Sequence, residues 1–358
     1  MNKKLPKFHV VKRRSISNTK RAVLSVLAFI SAIILGGIFV ALIGKNPIEV
    51  YSAIISGAFR SKMAATATVK IAVPLLITAL GVSLAFKMKF WNIGAEGQII
   101  MGGIFASYFA LFHANMPHLP LMLIMFVAGA LGGGILGAIP AYFKCKYDTN
   151  ETLFTLMLNY IALYIIVFLT QGPWKDPKST GFQKIATFGE NARLAEVGGI
   201  HIGWIIALLL CVIVFIYLNY TKQGYEISVI GDSKNTARYA GMNVNKIIIR
   251  TMFLSGAICG LSGVIQVSGV AFTLGESVAG GVGFTAIIVA WLARLNPFVC
   301  IVISMLLAIL EKGSSVMQST MGISTEVANV LEGIILFVIL AFDFFGDYKI
   351  AVRKDGGK

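Results

Sequence analysis

Asn92-Ile93-Gly94-Ala95-Glu96-Gly97-Gln98 lies between two apolar runs, Ile71–Phe86 and Ile99–Phe112, with Lys87 and Lys89 just before it. A carboxylate and two amides beside lipid-length apolar sequence are costly unless they face protein or water. The two glycines permit a sharp turn or close backbone packing. Two readings follow. One is a polar hinge at the cytoplasmic mouth of a membrane pathway. The other is an ordinary helix connection with Glu96 paired to a lysine, the commoner arrangement for an isolated stretch of this kind. The surrounding chain supplies the context.

The flanking runs belong to a chain of 358 residues, 57% hydrophobic and 13% charged, with mean hydropathy +0.81. Soluble domains carry about 25% charged residues, so this composition specifies an integral membrane protein. The 37 glycines suit closely packed membrane helices. A net charge of +15 would suggest nucleic acid in a soluble protein. Here the basic residues flank apolar spans, so anionic lipid and membrane orientation account for them, and no nucleic-acid partner is expected.

Ten apolar segments read as spans: 22–43, 66–86, 93–112, 120–143, 152–171, 202–220, 247–270, 282–295, 297–312 and 325–344. The run at 282–295 is short and ends sharply at Arg294-Leu295-Asn296-Pro297, so it also reads as a half-helix or one arm of a re-entrant pair with the next run. The expected fold is an all-α polytopic membrane bundle. It comprises a basic tail over 1–21, a transmembrane domain over 22–346 and a tail over 347–358. Most of the 31 lysines and arginines fall on one side if the N-terminus is cytoplasmic. That places the chain in the cell membrane with both termini on its cytoplasmic side. The first run is too long for a signal-peptide core and lacks a clear cleavage site.

Three loops stand out. Gly172–His201 is the longest external loop, and its Pro173, Trp174, Pro177, Phe182 and Phe188 suit either a cover over the bundle or a docking surface. On the inside, 222–246 contains Asp232-Ser233-Lys234-Asn235-Thr236-Ala237-Arg238-Tyr239-Ala240-Gly241-Met242. Asp232 or Ser233 caps a helix start, and Gly241 ends it in a left-handed cap. The result is a helix of about two turns, too short to persist unless packed. Small Ala237, Ala240 and Gly241, with Tyr239 as an aromatic anchor, point to docking. The third loop puts Asp148-Thr149-Asn150-Glu151 directly before an apolar run, a helix-start signal. Asn159 follows about 12 Å into that helix, where an amide bonds a neighbouring helix or lines a pathway.

No P-loop, HExxH or nucleophile elbow occurs, which argues against ATP binding by this chain and against an intramembrane enzyme. Cys145, Cys211, Cys259 and Cys300 form no CxxC pair, and the four histidines lack ligand spacing, so no metal or cofactor is expected.

Together these stretches resemble permease subunits of bacterial ABC importers. Asn92–Gln98 resembles the family's NIGAEGQ signature. Asn150–Asn159 (NETLFTLMLN) and Tyr239–Asn243 ahead of Lys246–Val264 resemble two further signatures. The similarity runs from about Ala22 to Gly346, and the branch resembled is that of nucleosides and simple sugars, related to branched-chain amino-acid permeases. The nucleoside, guanosine-type members look nearest. The resemblance implies a type II ABC importer-like bundle that pairs with a second permease, alike or different. It implies ATP-binding cassette ATPase subunits, which hold ATP and Mg, and an external substrate-binding lipoprotein. The family's coupling helix falls on Asp232, Ser233, Thr236, Ala237, Tyr239, Ala240, Gly241 and Met242. Its inner gate is similar to the mouths holding Asn92, Glu96, Gln98, Thr152 and Asn159. A simple-sugar importer, a stand-alone carrier and a structural subunit of an enzyme complex are the rival functions.

Overall fold

A computed structural model describes residues 7–12, 18–179, 181 and 183–353. Phe182 and the outermost parts of both basic tails lie outside the described residues. The elements are β1 (Lys7–Lys12), α1 (Asn18–Leu42), α2 (Pro47–Phe59), α3 (Lys62–Lys87), α4 (Ala95–Phe112), α5 (His118–Tyr147), α6 (Glu151–Gln171), β2 (Glu196–Val197), β3 (Ile200–His201), α7 (Gly203–Tyr220), α8 (Lys222–Asp232), α9 (Lys234–Tyr239), α10 (Val244–Ile265), α11 (Val282–Leu292), α12 (Pro297–Met321), α13 (Glu326–Asp347) and β4 (Tyr348–Arg353). A 3₁₀ turn spans Glu190–Ala192, and a π-turn, Gln266–Ala271, extends α10.

Each of the ten apolar runs becomes a helix, and the structure bears out a largely helical, many-span chain without bearing out the number ten. Among the described residues seven helices are long and apolar enough to cross a membrane, or eight if the bent pair Ile30–Leu42 and Pro47–Phe59 counts as one. The clearest departure is α11. Its 11 residues rise only about 16 Å, half of a hydrocarbon core of about 30 Å. It is the half-helix that Arg294–Pro297 signalled.

The chain divides into two compact units, Met1–Arg60 with Ile309–Lys358, and Ser61–Ala308. In the first, α1 and α2 meet at a 113° bend. The Asn46 side chain accepts the N–H of Ile48 at 3.0 Å, and Pro47 opens α2, the arrangement that starts helices. The Tyr51 hydroxyl donates to the Ile33 carbonyl at 2.8 Å. Val40, Val50, Ile54, Met317, Ile323 and Leu331 form this unit's core. β1 and β4 pair antiparallel, with Lys7 opposite Arg353 and Lys12 opposite Tyr348.

The second unit is built on α3, α4, α5 and α10. Every residue of α3 from Ala72 to Phe86 is buried. α5 and α10 touch backbone to backbone, because a Cβ on Gly133 would meet Gly256 and Gly260, and one on Gly260 would meet Gly129. Such small-residue contacts replace the missing hydrophobic drive between helices in lipid. The segment after α6 is worked into this core. Ile185, Phe188, Ala192 and Leu194 are buried. The N–H of Phe188 donates to the Phe272 carbonyl at 2.8 Å, and that of Leu194 to the Ser268 carbonyl in the π-turn at 2.9 Å. The Trp174 ring lies 5.9 Å from that of Phe112. The buried half of the segment is a cover on the bundle.

Candidate functional site

In the turn between α3 and α4, Lys89 and Trp91 are exposed but the amides are buried. Asn92 and Gln98 are 0% and 1% exposed. Their amides face each other and exchange two hydrogen bonds, Asn92 Nδ2 to Gln98 Oε1 and Gln98 Nε2 to Asn92 Oδ1, each 3.2 Å. Asn92 Oδ1 also accepts the N–H of Gly94 at 3.0 Å. Its Nδ2 reaches Ser255 Oγ of α10 at 3.5 Å, and that hydroxyl donates to the Gly81 carbonyl of α3 at 2.7 Å. Buried amides demand such saturation, since each unpartnered donor or acceptor costs about 1–3 kcal/mol.

α6 closes the other side. Asn159 Oδ1 accepts the N–H of Gly97 at 2.8 Å, and its Nδ2 donates to the Ile93 carbonyl at 2.9 Å. This is the interhelical amide bond that its depth suggested. Thr155, one turn earlier on the same face, accepts the N–H of Ile93 on Oγ1 at 3.1 Å. Thr152 does not join the cluster. Its N–H donates to the Asn150 side chain at 3.0 Å as part of the α6 cap. Lys144 pairs with Asp148 at 2.8 Å and with Glu151 at 3.2 Å at the same helix start. That lysine holds the Asp148 carboxyl below its ordinary value.

Glu96 is not paired to Lys87 or Lys89. Its carboxylate accepts the N–H of Gly281 on Oε1 at 2.8 Å and that of Gly283 on Oε2 at 2.7 Å. These are unsatisfied donors at the start of α11, where the helix dipole favours an anion. Gly283 is required by proximity, since a Cβ there would meet the Glu96 backbone. At the far end of α11, Trp291 stacks on Trp91 with ring centroids 5.6 Å apart and planes at 23°, and both rings meet Phe86. One turn, Trp91 to Gln98, therefore grips the half-helix at both ends.

The predicted short helix forms as α9. Ser233, not Asp232, caps it, with Oγ accepting the N–H of Thr236 at 3.2 Å. Asp232 instead ends α8, a helix that fills the first part of the expected loop 222–246. Gly241 adopts φ +74°. Its N–H donates to the Arg238 carbonyl and that of Met242 to the Ala237 carbonyl, both at 3.0 Å, the paired bonds of a left-handed helix stop. Ala237 is fully buried and Tyr239 is 93% exposed, so one small residue anchors a helix whose other side chains face outward. α8 holds this arm in place. Glu226 pairs with Arg250 of α10 at 3.0 Å, and a Cβ on Gly231 would meet the Lys87 carbonyl at the end of α3.

The structure thus gathers Asn92, Glu96, Gln98 and Asn159 and sets Thr152 apart. It places Asp232, Ser233, Thr236, Ala237, Tyr239, Ala240, Gly241 and Met242 on the separate α8–α9 arm. Thr155, Ser255, Gly281 and Gly283 complete the buried cluster and were missed. Thr155 had a signal, the i, i+4 spacing to Asn159. Among the described residues no group of three or more His, Cys, Asp or Glu could hold a metal ion.

Comparison with known proteins places this arrangement. The family of branched-chain amino acid transport system permease components matches residues 63–340. The glucose ABC transporter permease protein TsgB13 of Haloferax volcanii is 27% identical over 92% of this chain and 90% of its own. The nucleoside ABC transporter permease protein NupB of Lactococcus lactis is 29% identical over 90% of this chain and 92% of its own. The guanosine ABC transporter permease protein NupP of Bacillus subtilis is 29% identical over 87% of this chain and 91% of its own. With more than half of its length matched and at least seven helices able to cross a bilayer, the chain is a multi-pass membrane protein that belongs to the branched-chain amino acid transport system permease family.

Proposed function

We propose that this chain is the pathway-forming subunit of an ATP-driven importer for a nucleoside. It pairs with a second permease, takes its drive from separate ATP-binding cassette ATPase chains that hold ATP and Mg, and receives solute from an external binding lipoprotein. The observation that carries the reading is α9. It is a six-residue helix held by buried Ala237 and presenting Tyr239 to a partner. Ion pair Glu226–Arg250 and the Gly231–Lys87 contact carry its displacement into α10 and α3. The end of α3 leads into the Asn92–Gln98 turn, and Glu96 passes the motion to α11. Rocking of these elements opens the path alternately to either side. The saturated amides of Asn92, Gln98 and Asn159 support a shut inner end in this conformation. The pairing of β1 with β4 supports both termini lying on one side of the membrane, the cytoplasmic side by the basic-residue bias.

The nucleoside and guanosine relatives favour a nucleoside as solute. The glucose relative favours a second reading, a simple sugar. The test is uptake of labelled guanosine and glucose into vesicles holding this chain, with and without its ATPase, second permease and binding protein. ATP-dependent uptake of guanosine is expected only from the full assembly. Uphill transport by this chain alone would make it a stand-alone carrier.

A further inference from the structure

α6 has 21 residues, about 31 Å at 1.5 Å per residue, enough to cross a bilayer core. Its packed face carries Thr155, Leu158, Asn159, Ala162, Ile166 and Thr170. Its opposite face holds Tyr160 and Tyr164, one turn apart, 53% and 68% exposed. They lie about 14 and 20 Å from the start of the helix, straddling its midpoint.

That depth is the anomaly. Tyrosine concentrates at membrane–water interfaces, where its ring sits in lipid and its hydroxyl in water. A hydroxyl pointed into hydrocarbon without a partner costs several kcal/mol. The other exposed tyrosines and tryptophans lie at or near helix ends or in loops, although exposed Phe105 and Phe337 sit mid-helix. Phe112 meets Trp174 at one end of the bundle, and Tyr142 and Tyr147 flank Lys146 at the other. Neither the Tyr160 nor the Tyr164 hydroxyl has a hydrogen-bond partner among the described residues. Two mid-span phenols on one exposed face need polar company that lipid cannot supply. The only ionisable carboxylate on α6 is Glu151 at its very start, so nothing at this depth on the helix selects for charge.

We infer that Tyr160 and Tyr164 border the solute pathway at mid-depth and hydrogen-bond an uncharged, hydroxyl-bearing solute as it passes, with their rings lying against its flat face. The inference rests on the importer reading and deepens it, for it names the residues that contact the solute and the solute's class.

The experiment uses the assembled transporter with half-buried Cys145 changed to Ser. Tyr160→Cys and Tyr164→Cys are each treated with a membrane-impermeant methanethiosulfonate during ATP turnover. Both are expected to react, and guanosine or glucose, whichever the assembly transports, is expected to slow the reaction at least threefold. Tyr160→Phe and Tyr164→Phe, which keep the ring, are expected to raise the solute concentration for half-maximal uptake about threefold or more. No reaction at either cysteine while ATP-driven uptake persists overturns the inference and leaves the importer reading intact. Reaction without solute protection, or phenylalanine variants with unchanged half-saturation, overturns it equally. Absence of ATP-driven uptake by the unmodified assembly removes the importer reading, and this inference with it.

Discussion

The carboxylate of Glu96 receives the N–H of Gly283 at 2.7 Å from 187 residues further along the chain. With the neighbouring bond from Gly281, it converts the blunt start of a half-helix into a satisfied anion site. Hydrogen bonds to a charged acceptor contribute about 1.5–3 kcal/mol each, so this contact holds α11 to the start of α4.

Glu96→Gln should weaken that hold. The new amide accepts one N–H and turns its own donors toward the other, leaving a donor unpaired at about 1–3 kcal/mol. Uptake by the assembled transporter is expected to fall roughly tenfold, since 1.36 kcal/mol corresponds to a factor of ten. Glu96→Asp keeps the charge but withdraws it and should fall between. A glutamine variant with full uptake would count against α11 being held this way.

Tyr239→Ala removes a 93%-exposed ring and so leaves the fold unchanged. As the aromatic anchor of a docking helix it is expected to contribute about 2 kcal/mol to ATPase binding, a loss of roughly 30-fold in affinity. Ala240→Arg and Gly241→Trp should act in the same direction. Normal ATPase recovery in a pull-down of all three would remove α9 as the docking element.

A cysteine introduced at Ser233, which caps α9, is expected to react with an impermeant maleimide only in inside-out vesicles. Reaction in right-side-out cells would reverse the assigned orientation.

Gly133→Leu puts a branched side chain where α5 meets Gly256 and Gly260 of α10. Overpacking costs about 1–3 kcal/mol or more, and backbone neighbours have no room to yield. Detergent-solubilised protein should melt several degrees lower or be lost to aggregation. Gly134→Ala, whose three nearest neighbours are atoms of the Phe253 ring, should be milder. Equal effects would mean that the α5–α10 approach is not the sensitive contact.

His201 gives a pH prediction. It is fully buried, and burial together with the nearby Lys70 lowers its pKa from 6.5 to about 4, against a smaller upward pull from Glu196. Lys70 and Glu196 are themselves paired at 3.0 Å. The folded chain keeps this ring neutral while the unfolded chain protonates it near pH 6.5, so the unfolded state binds more protons between those values. Its contribution is complete above pH 6.5 and is lost as pH falls toward 4, by about 3 kcal/mol in all. Melting temperature should therefore drop on acidification, and less steeply in His201→Leu. Parallel curves for both proteins would refute the assignment.

The sequence carried local features well and distant partners poorly. Ser233 and Gly241 announced the ends of α9 because capping is written in adjacent residues. The shortness of α11 was legible from Arg294–Pro297. Asn159 could be expected to bond a neighbour because an amide at that depth needs one. The partner of Glu96 was not legible, since Lys87 and Lys89 stand close before it in sequence while the donors come from another helix start. α2 was missed because its 13 residues sit between two long apolar runs and read as their connection. α8 was missed because its packing against Arg250 and Lys87 is tertiary. The half-crossing at α11 was one of the two readings its sequence allowed; apolarity alone did not choose between them, and the breaking residues Arg294–Pro297 did not fix the number of spans.

The wide turn at Gln266–Ala271 has a consequence for how this lineage can change. Such a turn is wound more loosely than the α-helix it continues. Excising a single residue there would swing everything downstream by about 100°. Phe272 would leave Phe188, and Ser268 would leave Leu194. A one-codon deletion would thus unfasten the cover from its bundle, whereas many side-chain replacements in the same turn would leave the two joined.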